Sequence, residues 1–197
     1  MIEIFKSSIL AGMFISLGCI VNLTVGGYLG AILFSFGLLS VVHYKLKLYT
    51  GTIGFFMNLN GFFKTFLVLF GNIVGCLLIS LIAHVSLDSV VDASTAILEK
   101  RLALSWYDGI LLGSLCGFIM TTAVKFGKEG KYLPLLFGVP LFILSGFLHS
   151  IADAFYYLTS STDFVLSNSF HIIFMYIMIV IGNALGCNFY RIVFMRL

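Results

Sequence analysis

His149 is the side chain most able to do chemistry in this chain. It lies in Gly146-Phe147-Leu148-His149-Ser150, inside a long apolar run. An ionisable group is expensive in such a run and marks a functional position. A histidine also exchanges a proton near neutral pH. The plainer reading is a neutral ring bonded to nearby backbone. His43, His84 and His171 lie near the ends of apolar runs, where an interfacial structural role fits better. A second polar interruption, Leu48-Tyr49-Thr50-Gly51-Thr52, brings hydroxyls and a turn-forming glycine into another apolar run. Each interruption breaks a helix and frees backbone N–H and C=O groups, which is tolerated only inside protein or beside a water-filled cavity. Two half-helix ends meeting there would offer donors and partial positive charge to a small anion.

Other candidates follow from position. Phe142 stands seven residues before His149, on the same helical face, and Tyr49 adjoins Thr50. Either aromatic could form a narrow apolar constriction. Lys100 and Arg101 read equally as solvated charges or as a basic mouth that concentrates anions. Gly71, Gly75, Gly182 and Gly186 form small-xxx-small faces for close helix packing. Asn72 and Asn183, beside them, are expected to tie these helices to the interrupted segments. Gly51 and Gly146 are the turn residues of the two breaks. Cys19, Cys76, Cys116 and Cys187 are far apart with no CxxC pair, so they read as buried thiols. There is no phosphate-binding glycine loop, no paired carboxylate within a span and no metal-ligand cluster. The sequence therefore supports neither an enzyme nor a cofactor or metal.

The elements that must hold these residues are membrane helices. Of 197 residues, 60% are hydrophobic and 10% charged, with mean hydropathy +1.12. A soluble domain carries about a quarter charged residues, so a soluble enzyme or a nucleic-acid binder is excluded and the chain belongs in a lipid bilayer. Its apolar runs are continuous rather than alternating, which argues against a β-barrel. At about 20 residues per span, the length accommodates six. They are expected at 8–24, 28–42 (interrupted, resuming to about 57), 62–85, 106–125, 133–158 (interrupted at 146–150) and 164–189. The first is read as a retained span rather than a signal peptide.

With both termini on one side, that side holds Lys6, Lys64, Lys125, Lys128, Lys131, Arg191 and Arg196, against Lys100 and Arg101 opposite. The positive-inside rule then makes the termini cytoplasmic, in an inner or plasma membrane.

The chain also repeats itself. Gly71-Asn72-Ile73-Val74-Gly75-Cys76 matches Gly182-Asn183-Ala184-Leu185-Gly186-Cys187, 111 positions on (182 − 71). Ile9-Leu10-Ala11-Gly12 matches Ile110-Leu111-Leu112-Gly113, 101 on (113 − 12). Thr50 faces His149 at an offset of 99 (149 − 50). A single domain is expected, with repeat one at about 1–85, a polar linker at 86–105 and repeat two at about 106–197. Three spans is an odd number, so the repeats cross in opposite senses, and paired broken helices point to a substrate path.

These motifs resemble the formate/nitrite transporter family over nearly the whole chain. The similarity includes Leu10-Ala11-Gly12-Met13-Phe14-Ile15, Leu48-Tyr49-Thr50-Gly51-Thr52 and Phe70-Gly71-Asn72-Ile73-Val74-Gly75. Most specific is Gly146-Phe147-Leu148-His149-Ser150-Ile151-Ala152-Asp153, beside the family pattern Gly-Phe-Glu-His-Ser-Val-Ala-Asn. The resemblance implies an all-α, aquaporin-like membrane fold. It also implies a homo-pentamer with one pore per protomer, and passage of formate, nitrite, hydrosulfide or a similar weak-acid anion, often with a proton. It makes His149 the central pore histidine, with Thr50 on the facing loop. It sets Phe142 in the outer constriction, Tyr49 near the inner one and Lys100 in the vestibule. Leu148, Asp153 and Gly113 replace polar partners usual in the family, and the chain is shorter than usual. A pore for neutral solutes, or a non-conducting structural or regulatory protein, remain the alternatives.

Overall fold

The computed structural model describes residues 1–55 and 58–194. Phe56, Met57 and residues 195–197 fall outside the description, and with them Arg196 and the expected end of the second span. The described residues form ten helices and no strand: α1 (Ile2–Val25), α2 (Gly27–His43), α3 (Leu59–Ser86), α4 (Asp88–Leu102), α5 (Trp106–Lys128), α6 (Leu133–Leu144), α7 (Ser150–Thr159), α8 (Thr162–Ser167), α9 (Ser169–Cys187) and α10 (Phe189–Phe194). Helices α1, α3, α5 and α9 are long and apolar enough to cross a membrane, and α2 and α6 are shorter apolar helices. Helix α6 with α7 makes the broken fifth span. The helices turn large apolar side chains outward, among them Phe36, Phe66, Phe70, Leu111, Phe137 and Phe170. In a bilayer that surface faces lipid or other membrane protein.

The repeat is visible in the packing. Helix α1 lies against α2 and α3, α5 lies against α6 and α9, and α2 meets α6 between the halves. The matched glycines set the closest approaches. A Cβ on Gly75 would strike the Ile9 carbonyl oxygen, and one on Gly186 would strike that of Ser114. Gly26 and Gly27 both have positive φ and turn the chain between α1 and α2. At its start, α5 is capped reciprocally by Ser105 and Asp108, a stable N-terminal arrangement.

Two segments depart from the sequence expectation. The segment at 86–105 is mostly helix, α4, with Val90, Ser94 and Leu98 buried in a stripe at spacing four. The second span does not resume as a helix after its break, for the described residues 49–55 form turns closed by Thr52 N–H to Tyr49 O (2.9 Å) and Phe55 N–H to Thr52 O (3.0 Å). Two glycines and two β-branched threonines in these seven residues lower helix propensity there.

Candidate functional site

The two breaks are held by the same devices. The Asn72 side chain accepts from Tyr49 N–H (2.9 Å) and donates to Lys47 O (2.9 Å) and Ser8 O (2.8 Å). The Asn183 side chain accepts from Ser150 N–H (2.8 Å) and donates to Leu148 O (2.8 Å) and Gly113 O (2.9 Å). Both asparagines are fully buried, where an unpaired amide would be costly. Each break is also touched by a cysteine of the opposite repeat. The Cys187 thiol donates to Thr50 O (3.3 Å), and that of Cys76 donates to Ile151 O (3.5 Å). Both thiols are free and buried, as expected from their place in apolar runs.

This bonding sets the register of the repeat at the breaks. Tyr49 corresponds to Ser150 and Thr50 to Ile151, an offset of 101 (150 − 49), the same as between Gly12 and Gly113. The offset of 99 read from the sequence joined two residues that face each other across the centre, not two counterparts. His149 has Leu48 as its counterpart (149 − 48 = 101).

At the centre, His149 Nε2 lies 3.1 Å from Thr50 Oγ1. His149 is 2% exposed and Thr50 0%. Ala152 N–H donates to His149 Nδ1 (3.2 Å), so the ring caps the start of α7. A nitrogen that accepts that bond carries no proton. We therefore assign the neutral ring's proton to Nε2, which donates to Thr50 Oγ1. The Thr50 hydroxyl proton is then left to point elsewhere. Phe142 stacks on the imidazole with centroids 5.4 Å apart and 26° between planes, and Phe34 meets Phe142 edge-on.

Two cavities flank this centre and share no lining residue. The termini-side cavity, about 750 Å³, is lined by Ile4, Leu48, Gly51, Val124 and Lys128, among others. The far-side cavity, about 220 Å³, is lined by Asn22, Lys100, Arg101, Phe142, His149 and Asp153, among others. Ile4 and Asn22 are 18 residues apart on α1, about 27 Å at 1.5 Å per residue, so the cavities open near opposite ends of a membrane-long helix.

The structure thus gathers His149, Thr50 and Phe142 at one point and brings Lys100 to the far-side cavity. Tyr49 and Leu148 line neither cavity. The Tyr49 hydroxyl donates to Val180 O (3.4 Å), and buried Leu148 is held through its backbone by Asn183 and by Leu112 O. Gly51 lines the termini-side cavity and Gly146, with φ 72°, the far-side one. The paired half-helix ends expected at the centre reduce to one, the start of α7.

Arg101 is the basic residue that reaches inward. Its Nε donates to Asp153 Oδ1 at 3.0 Å and its guanidinium reaches Gly146 O at 3.5 Å. Their side chains are 19% and 1% exposed, whereas Lys100 is exposed. The sequence held two signals for this pair. A carboxylate within an apolar span demands a cation, and the buried stripe 90, 94, 98 continues at 101, not at 100.

The described helices define an all-α membrane fold of two inverted three-span repeats whose second and fifth spans are broken. The family pattern described as formate/nitrite transporter matches residues 1–196. The chain belongs to the formate/nitrite transporter family. A curated formate-nitrite transporter of Entamoeba histolytica is 30% identical over 156 residues, covering 66% of this chain. The chain spans 44% of that relative's length. Among solved structures, a pentameric formate channel with formate bound matches with TM-score 0.83 and 20% identity, covering 98% of this chain and 97% of that one. An ion channel of the same family matches with TM-score 0.77 and 21% identity, covering 98% and 87%. These two share the aquaporin-like fold.

Proposed function

We propose that this protein is a channel or transporter for small monovalent weak-acid anions, such as formate, nitrite or hydrosulfide, that moves a proton with them through His149. The observation that carries the reading is a buried histidine bonded to a threonine between two cavities near opposite ends of α1. The family membership and the formate-bound pentameric relative support the substrate class and a homo-pentamer. The pathway runs past Lys100 and Phe142 to His149 and Thr50, with Tyr49 and Leu148 supporting its walls from behind. The whole chain is one transmembrane domain, and the excess of basic residues near the termini supports a cytoplasmic termini side.

A bare anion crossing this dry centre would bear a large desolvation cost. The chemistry of His149 removes it. A protonated imidazole gives its proton to the anion, leaving a neutral ring and a neutral acid, and the acid crosses without charge. Protonation at Nδ1 requires giving up the Ala152 N–H bond, so α7 capping and the proton state are linked. The Thr50 hydroxyl, bonded to Nε2, is placed to donate to the anion's oxygen. Phe142 keeps the ring flat against an apolar wall and excludes bulk water.

Purified protein in proteoliposomes tests this directly. Uptake of formate, nitrite, hydrosulfide, lactate and acetate would be followed alongside membrane current and lumenal pH. Saturable uptake of at least one of them, with lumenal pH change, is expected. Permeation of water alone, or of nothing, would overturn the reading.

A further inference from the structure

We infer that Asp153 is a built-in surrogate anion, which occupies Arg101 at the floor of the far-side cavity and which a permeant anion must displace. The inference rests on the anion-conducting reading above and adds a selectivity element to it. Three observations carry it. Asp153 Oδ1 accepts from Arg101 Nε at 3.0 Å, and both residues line the cavity that ends at His149. The second carboxylate oxygen, Oδ2, is buried and has no hydrogen-bond partner among the described residues. Asp153 also sits in the first turn of α7, with its N–H bonded to His149 O (2.8 Å).

The two positive features that a small carboxylate would seek here are the Arg101 guanidinium and the α7 N-terminus. Asp153 neutralises both at once. Its carboxylate has the size and charge of formate and already holds one arm of the guanidinium. An arriving anion gains Arg101 only by competing with it. The uncompensated Oδ2 lowers the pair's hold, because a buried oxygen without a donor costs free energy. Exchange is therefore feasible, and the far-side affinity for anions is set by the difference between the two partners. Lys100, on the exposed side of α4, stays free to attract anions to the mouth without holding them.

Asp153→Asn tests this, since it removes the charge and keeps the size and an oxygen for Arg101. The half-saturating formate concentration on the far side is expected to fall roughly fivefold or more, the scale of a coupling free energy between sites, with maximal flux changing less. Arg101→Gln is expected to raise it. Structural damage would move both variants in one direction, so the opposite signs are diagnostic. A second readout does not need transport: formate is expected to raise the unfolding temperature of detergent-purified protein more for Asp153→Asn than for wild type. Equal stabilisation and equal half-saturation in wild type and Asp153→Asn would overturn the inference. If wild type carries no anion, the functional reading fails, and the stabilisation arm still decides the role of Asp153.

Discussion

The two breaks share a scaffold and differ in their chemistry. Asn72 and Asn183 hold them through equivalent bonds, and Cys187 and Cys76 touch their tips. Yet the chain after Ser150 is a helix, while 49–55 is a set of turns. The counterparts Leu48 and His149 explain much of this. A histidine Nδ1 can accept a first-turn N–H and cap a helix, and leucine has no acceptor. Instead the Leu48 carbonyl oxygen collects Gly51 N–H (3.1 Å) and the Thr52 hydroxyl (2.5 Å) in a tight turn. The helical break supplies an imidazole and the turn supplies a hydroxyl, and the asymmetry lets the two meet. Two copies of the first break would set leucine against threonine and two copies of the second would set histidine against isoleucine, and neither pairs an imidazole with a hydroxyl.

If the scaffold is common to both breaks, Asn72→Leu and Asn183→Leu should damage the fold alike. Each removes three hydrogen bonds, a loss of about 3 kcal/mol at roughly 1 kcal/mol each. Denaturant unfolding in detergent would measure it, and a large cost at only one position would break the equivalence.

If the chemistry belongs to one residue of each break, the counterparts Thr50 and Ile151 must behave differently. Thr50→Val keeps the shape and removes the hydroxyl bonded to His149. Flux is expected to fall on the order of tenfold, the scale of one lost hydrogen bond at about 1.4 kcal/mol. Ile151→Val is expected to leave flux nearly unchanged, at a stability cost of about 1 kcal/mol. Equal flux effects would erase the distinction.

The smallest effect concerns how the turn is kept in place. Lys128 Nζ donates to Gly51 O (3.3 Å) and lies 3.8 Å from the centre of the Phe55 ring. Lys128→Met is expected to cost about 1 kcal/mol and to quicken hydrogen exchange at 49–55 while sparing 150–159. Unchanged exchange at 49–55 would show that the turn is held without it.

Much of this arrangement was legible in the sequence. The glycine–asparagine motifs gave the repeat, and rare polar residues in apolar runs gave His149 and Thr50. What escaped was three-dimensional register. The offset of 99 came from matching polar residues, but the asparagine bonds fix it at 101. That fact lives in contacts between segments far apart in the chain. Sequence position alone does not separate Arg101 from Lys100, and the family resemblance favours Lys100. On a helix, neighbours point about 100° apart, so α4 aims one at Asp153 and the other at solvent. The turns of the described residues 49–55 were written in Thr50, Gly51, Thr52 and Gly54, yet an apolar run with two glycines reads as span until its turns are seen.

The central claim is that His149 passes a proton with the anion, and one comparison tests it most directly. Formate uptake and lumenal pH would be recorded together in proteoliposomes bearing wild type or His149→Asn, across external pH 5 to 8, where an ordinary histidine titrates near 6.5. Wild type is predicted to move protons with formate in a fixed ratio. The variant is predicted to lose that ratio, with uptake either abolished or accompanied by current. Unchanged, proton-matched uptake by His149→Asn at every pH would contradict the account.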